Sequence, residues 1–127
     1  MSERSSGTNV LVIDDESSIL ESLRILLRNE GFTPHVAHGG KQGLEQIESL
    51  SPDIVLTDVR MPNVDGIEVL SAVRKQDPTT PVILMDPPAE VAAAVPWAVV
   101  GSWSDPLALP SLIDAIAGPP THLDGAC

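Results

Sequence analysis

The stretch DIVLTDVRMPNVDGIEVL, Asp53 to Leu70, runs from a buried strand through a short polar loop into a helix. Within Asp53–Asp58, Ile54–Leu56 are consecutive aliphatic residues followed by β-branched Thr57, the pattern of a strand covered on both faces. Asp58 closes it. Gly66–Gln76 then carries Ile67, Leu70 and Val73 at helical spacing. The same grammar stands upstream. Asn9–Ile13 (NVLVI) reads as a strand and is followed by Asp14 and Asp15. A helix over Ser17–Glu30 turns Ile19, Leu23, Leu26 and Leu27 inward, and Gly31 caps it. Thr33–Ala37 is a second strand. Lys41–Leu50 is a second helix with Leu44, Ile47 and Leu50 on one face. Downstream, Pro81–Met85 (PVILM) is a fourth strand, and Asp86 follows it at once.

Strands alternating with helices indicate βαβ units and a parallel sheet. The expected fold is α/β, a three-layer sandwich around a five-stranded parallel sheet, doubly wound. Such sheets bind ligands beyond the carboxyl ends of their strands. Asp14, Asp15, Asp58 and Asp86 all end or follow a strand, so this architecture gathers them at one edge. A hard cation such as Mg²⁺ takes oxygen ligands of this kind. An aspartate can also be the nucleophile in phosphoryl transfer. Taken singly, Asp14 and Asp15 suit the start of a helix equally well. With Asp58 at the end of another strand, a metal site is the stronger reading.

The chain has 127 residues and a formal net charge of -11. Its length suits one domain with a hydrophobic core. Its charge argues against direct contact with a nucleic-acid backbone. No apolar run is long enough for a membrane span. The N-terminus is polar, and the one cysteine is Cys127, so a cytoplasmic, reducing setting is expected. Residues 1–8 read as a flexible N-terminus, 9–117 as the folded domain and 118–127 as a tail or linker stub. Composition changes at Asp86. No Lys or Arg follows it, whereas seven of the twelve prolines do. A fourth helix near Ala89–Val95 is hemmed by Pro87, Pro88 and Pro96. Ala98–Gly101 reads as a short fifth strand. Leu107–Ala117 reads as the last helix, with Leu109, Leu112, Ile113 and Ile116 inward and Pro110 in its first turn.

LVIDDE at Leu11–Glu16 and the Asp53–Leu70 segment, with its Met61-Pro62 and Asp65-Gly66 pairs, resemble the receiver domains of bacterial two-component response regulators. The resemblance runs from about Asn9 to Met85 and is closest to receivers found ahead of transcription-factor output domains. It implies a flavodoxin-like strand order and a role in phosphorelay signal transduction rather than enzymatic turnover. Asp58 is then the phospho-acceptor, and a histidine kinase is the donor partner. Asp15 and Asp58 bind Mg²⁺ through their side chains and Arg60 through its backbone carbonyl, with Asp14 assisting. Pro62 and Gly66 shape the loop beside the acceptor. An output domain or partner protein is expected on the face formed by the fourth helix, fifth strand and fifth helix.

The pattern breaks after the fourth strand. Members of the family usually place Thr or Ser where this chain has Asp86. They place a Lys before Pro where this chain has Asp105-Pro106, and an aromatic residue where it has Ser102, with Trp103 adjacent. Unit charges ~5 Å apart interact by about 3 kcal/mol at an effective dielectric near 20, so a Lys-to-Asp exchange reverses a sizeable term. Asp58 is therefore expected to bind Mg²⁺ but to be phosphorylated weakly or not at all. The alternative is a pseudo-receiver, a phosphorylation-independent interaction module. A segment grafted after residue 85 is a further explanation of the break. A metal-dependent phosphatase is disfavoured, because Arg60 stands where a general acid is needed. His35, His38 and His122 lack ligand spacing and read as surface or edge residues. Trp97 and Trp103 read as core filling or edge cover, Arg74 and Lys75 as the solvated end of a helix, and Gly39-Gly40 as a turn.

Overall fold

The structure is a computed structural model that describes residues 8–117. Five strands, β1 (Asn9–Asp14), β2 (Thr33–His38), β3 (Ile54–Asp58), β4 (Val82–Met85) and β5 (Val99–Gly101), form one sheet in the order β2-β1-β3-β4-β5. Every pairing is parallel. The helices are α1 (Ser17–Asn29), α2 (Gly40–Leu50), α3 (Gly66–Gln76), α4 (Ala89–Ala94) and α5 (Leu109–Ala117). This is the expected three-layer, doubly wound α/β fold. The segment expected to precede the domain, save Thr8, and the tail from Gly118, which includes His122 and Cys127, lie outside the described residues.

Alternation along the central strands builds two cores. Val10 and Val12 of β1, with Ile54, Leu56, Ile83 and Met85, pack beneath Leu20, Leu23 and Leu27 of α1 and Leu109 and Ile113 of α5. Leu11 and Ile13, with Val55 and Leu84, face Ile47 of α2 and Val69, Leu70 and Val73 of α3. A strand covered on both faces needs apolar residues at consecutive positions, which explains the unbroken runs in the sequence. Among the described residues, no helix is long and apolar enough to cross a membrane.

The elements after β4 are reduced. Helix α4 ends at Ala94, before the expected Val95, and none of its side chains is fully buried. Strand β5 has three residues and omits Ala98. The last helix starts later than expected, because Pro106–Ala108 form a 3-10 turn and the α-helix begins at Leu109. Pro110 then falls in its first turn, where its missing N–H costs nothing. Trp103 packs against the first core, but Trp97 is 57% exposed. The Trp97 ring is covered by the Arg74 guanidinium, 4.6 Å from its centroid, so that cation caps an aromatic face and not only a solvated helix end.

Helix α3 is seated by its first two residues. Asp65 accepts the Glu68 N–H at 2.9 Å, and Glu68 accepts the Asp65 N–H at 3.0 Å, closing a capping box. Gly66 lies directly against the end of β3. A Cβ there would fall 2.5 Å from the Asp58 carbonyl oxygen and 2.8 Å from the Val59 Cα. Both neighbours are backbone and cannot swing aside. Gly66→Ala should therefore cost about 1–3 kcal/mol, the usual penalty of overpacking. A lower urea midpoint at an unchanged slope would register it; an unaltered midpoint would refute the close approach.

Candidate functional site

The carboxyl ends of β1 and β3 bring three aspartates together. One carboxylate oxygen each from Asp14, Asp15 and Asp58 lies within 4.8 Å of the others. Asp14 is the last residue of β1 and is only 2% exposed. Asp15 is exposed, and Asp58 is half-buried at the tip of β3. Oδ1 of Asp14 accepts the Glu16 N–H at 2.8 Å, while its buried Oδ2 has no hydrogen-bond partner. Oδ1 of Asp58 accepts the Val59 N–H at 2.9 Å, and the Arg60 N–H also stabilises that carboxylate. Arg60 itself is exposed and lines a cleft with Met61, Pro62, Asp65, Pro88 and Glu90.

The cluster holds more negative charge than its hydrogen bonds satisfy. Burial pushes the Asp14 carboxyl up to about 6, against the Glu16 N–H, and the charges of Asp58 and Asp15 push the same way. Burial likewise raises Asp58, opposed by the Val59 N–H and reinforced by the charges of Asp15 and then Asp86. A buried carboxylate oxygen with no donor is costly unless something positive meets it. The donor set is three carboxylates at one rim, the chemistry of a hard divalent cation. The residues present therefore fit Mg²⁺.

Asp86 stands at the end of β4, in a left-handed conformation with φ 49°. Its N–H donates to the Gly101 carbonyl at 2.9 Å. Its Oδ2 accepts the Trp103 N–H at 2.9 Å. Met85 pairs with Gly101, so the residue that follows β5 directly is Ser102. The Ser102 hydroxyl pairs with that of Ser104 at 2.7 Å and accepts the Ser104 N–H at 3.1 Å. Asp105 lies three residues farther on and precedes the 3-10 turn that Pro106 opens. Both Asp86 and Asp105 line one open pocket with Pro87, Ser102 and Leu112.

The two aspartates at the end of β1 thus differ more than their adjacency suggests: Asp14 is the enclosed one. The bond from Trp103 to Asp86 went unanticipated, since no local spacing announces a contact across seventeen positions. The capping box was legible in Asp65-Gly66-Ile67-Glu68 as an acidic cap with Glu three residues later.

Residues 10–103 match the family model described as the response regulator receiver domain. The chain is 41% identical over 86 residues to the regulatory protein AtoC of Escherichia coli, a match that covers 68% of this chain and 19% of AtoC. It therefore spans about a fifth of that relative. A CheY-like receiver domain protein from Methanospirillum hungatei shares the fold with a TM-score of 0.80 at 24% identity, covering 87% of this chain and 93% of that one. The response regulator TrrA of Thermotoga maritima, solved with Mg²⁺-BeF, superposes with a TM-score of 0.66 at 30% identity, covering 75% of this chain and 84% of TrrA. With its carboxylates gathered at the rim of a β2-β1-β3-β4-β5 sheet, the chain belongs to the response regulator receiver domain family.

Proposed function

We propose that this receiver accepts a phosphoryl group on Asp58 from the histidine of a partner kinase, in the cytoplasm, with Mg²⁺ held by Asp14, Asp15, Asp58 and the Arg60 carbonyl. The carrying observation is the Asp14–Asp15–Asp58 cluster with its orphaned Asp14 oxygen. The Mg²⁺-BeF bound to TrrA, a relative of the same fold, supports it. Bound there, the cation neutralises charge on the phosphoryl oxygens. The chain's own part is positional. The Val59 and Arg60 N–H groups hold the Asp58 carboxylate, and Gly66 keeps the loop packed beneath it. In the transfer, an Asp58 oxygen bonds phosphorus as the bond to the histidine nitrogen breaks. The chain then serves as a signalling module and not as an enzyme with a small-molecule substrate. Its similarity to curated relatives named as transcriptional regulators favours an output domain or partner that regulates transcription.

Asp86 favours a second reading, that of a phosphorylation-independent interaction module. Its charge already raises Asp58, and no Lys or Arg lies anywhere beyond it. A phosphoryl group would bring about -1.5 to -2 more charge to the same rim.

Mg²⁺-dependent labelling by acetyl phosphate decides between them. Low-yield label on the wild type, absent from Asp58→Asn and increased by Asp86→Thr with Asp105→Lys, is the expected result. No label on the wild type, with label on the double variant, would establish the second reading.

The Asp14 carboxyl also sets a pH dependence. Between its ordinary value of 3.8 and about 6, the folded chain holds a proton that the unfolded chain has released. The stability that protonated Asp14 contributes to the metal-free chain is therefore fully present below about pH 4 and is lost as pH rises through about 6. Thermal melts in EDTA across that range should show the fall, and Mg²⁺ should reverse it at pH 7.5 but not at pH 5. Asp14→Asn should raise the metal-free melting temperature at pH 7.5 and abolish the gain from Mg²⁺. A metal-free melting temperature that does not fall between pH 4 and 6 relative to that of Asp14→Asn would contradict the assignment.

A further inference from the structure

The loops after β4 and β5 are joined at a single residue. Asp86 donates its N–H to Gly101 and accepts the Trp103 N–H on Oδ2, both at 2.9 Å. Its left-handed backbone is a conformation that L-residues other than Asn and Asp seldom adopt. It also precedes Pro87 and Pro88, whose rings fix the chain that follows. Across the gap, Ser102 and Ser104 brace each other through their hydroxyls. Trp103, between them, is partly buried against the first core and lines a pocket with Leu23 and Leu26, and its indole N–H is buried without a partner. An unsatisfied donor disfavours that position, so the ring is helped into place by the backbone bond to Asp86. The same loop separates two exposed apolar side chains, Val100 on β5 (47% exposed) and Leu107 in the 3-10 turn (78% exposed).

We propose that Asp86 is a staple that fixes the β4–α4 and β5–α5 loops to each other, so that the two loops keep one arrangement whether or not the Asp58 site is loaded. A side chain that already accepts a main-chain hydrogen bond from the opposite loop is not free to follow charge appearing at Asp58. Asp86 acts here as a positioning residue. The staple gives the second reading above a physical cause, and it differs from that reading in being testable without phosphorylation.

Amide hydrogen exchange at Trp103 in the whole chain tests it. Asp86→Gly removes the carboxylate yet accepts the left-handed backbone without strain, whereas Asp86→Asn keeps an acceptor oxygen. Trp103 N–H protection should fall at least about tenfold in the glycine variant and stay within about twofold of wild type in the asparagine variant. Adding Mg²⁺ and beryllofluoride should leave Trp103 exchange, and its fluorescence in a Trp97→Phe background, unchanged in the wild type but not in Asp86→Gly. Equal protection in wild type and Asp86→Gly, or a marked response of the wild type to loading, would overturn the staple. Fluorine NMR reads loading separately. Absence of bound fluoride counts against Asp58 as an acceptor, while the glycine and asparagine variants still decide the staple.

Discussion

Three carboxylates crowd the carboxyl edge of a parallel sheet, and the most enclosed of them, Asp14, leaves one oxygen with no hydrogen-bond donor. Burying that oxygen is unfavourable by itself. The strands cannot relieve it, because β1 and β3 are pinned side by side in the centre of the sheet by apolar residues on both faces. The packing that stabilises the fold thus holds the acidic rim in an electrostatically poor state. A binding site for a cation follows from that conflict. The unfavourable energy stored in that rim is of the kind that a hard divalent cation would relieve.

Much of this was legible in the sequence. Strands β1, β3 and β4 are continuous aliphatic runs, and each ends at or just before an aspartate. Helical spacing identified α1, α2 and α3, and alternation of the two gave the sheet. The rim residues Asp14, Asp15 and Asp58 followed from topology alone. Legibility drops after Met85 for physical reasons. Three-residue β5 and six-residue α4 are too short to show a period. Prolines at 106 and 110 delay the last helix by a 3-10 turn. Trp97, expected to fill core or cover an edge, is instead largely exposed with the Arg74 guanidinium over its ring. The hydrogen bond between Asp86 and the Trp103 backbone has no sequence signature, since any residue other than proline offers that N–H.

The parts of the domain before Asp86 and from Asp86 onward divide the work accordingly. The first builds the acidic rim with its capping box and its close glycine contact. The second, free of Lys and Arg, places further carboxylates at or beside the same edge and commits one of them to a structural bond. A receiver of this make-up keeps the means to gather a cation while its distal loops are braced from within.

The shortness of β5 has a consequence for assembly. An edge strand of three residues, followed at once by a serine-braced turn, leaves few unpaired amide and carbonyl groups for an incoming chain. Growth of the sheet by addition of a foreign strand is thereby discouraged on that side. A partner docking on this edge would meet side chains rather than the main chain, and the edge itself resists indiscriminate β-aggregation.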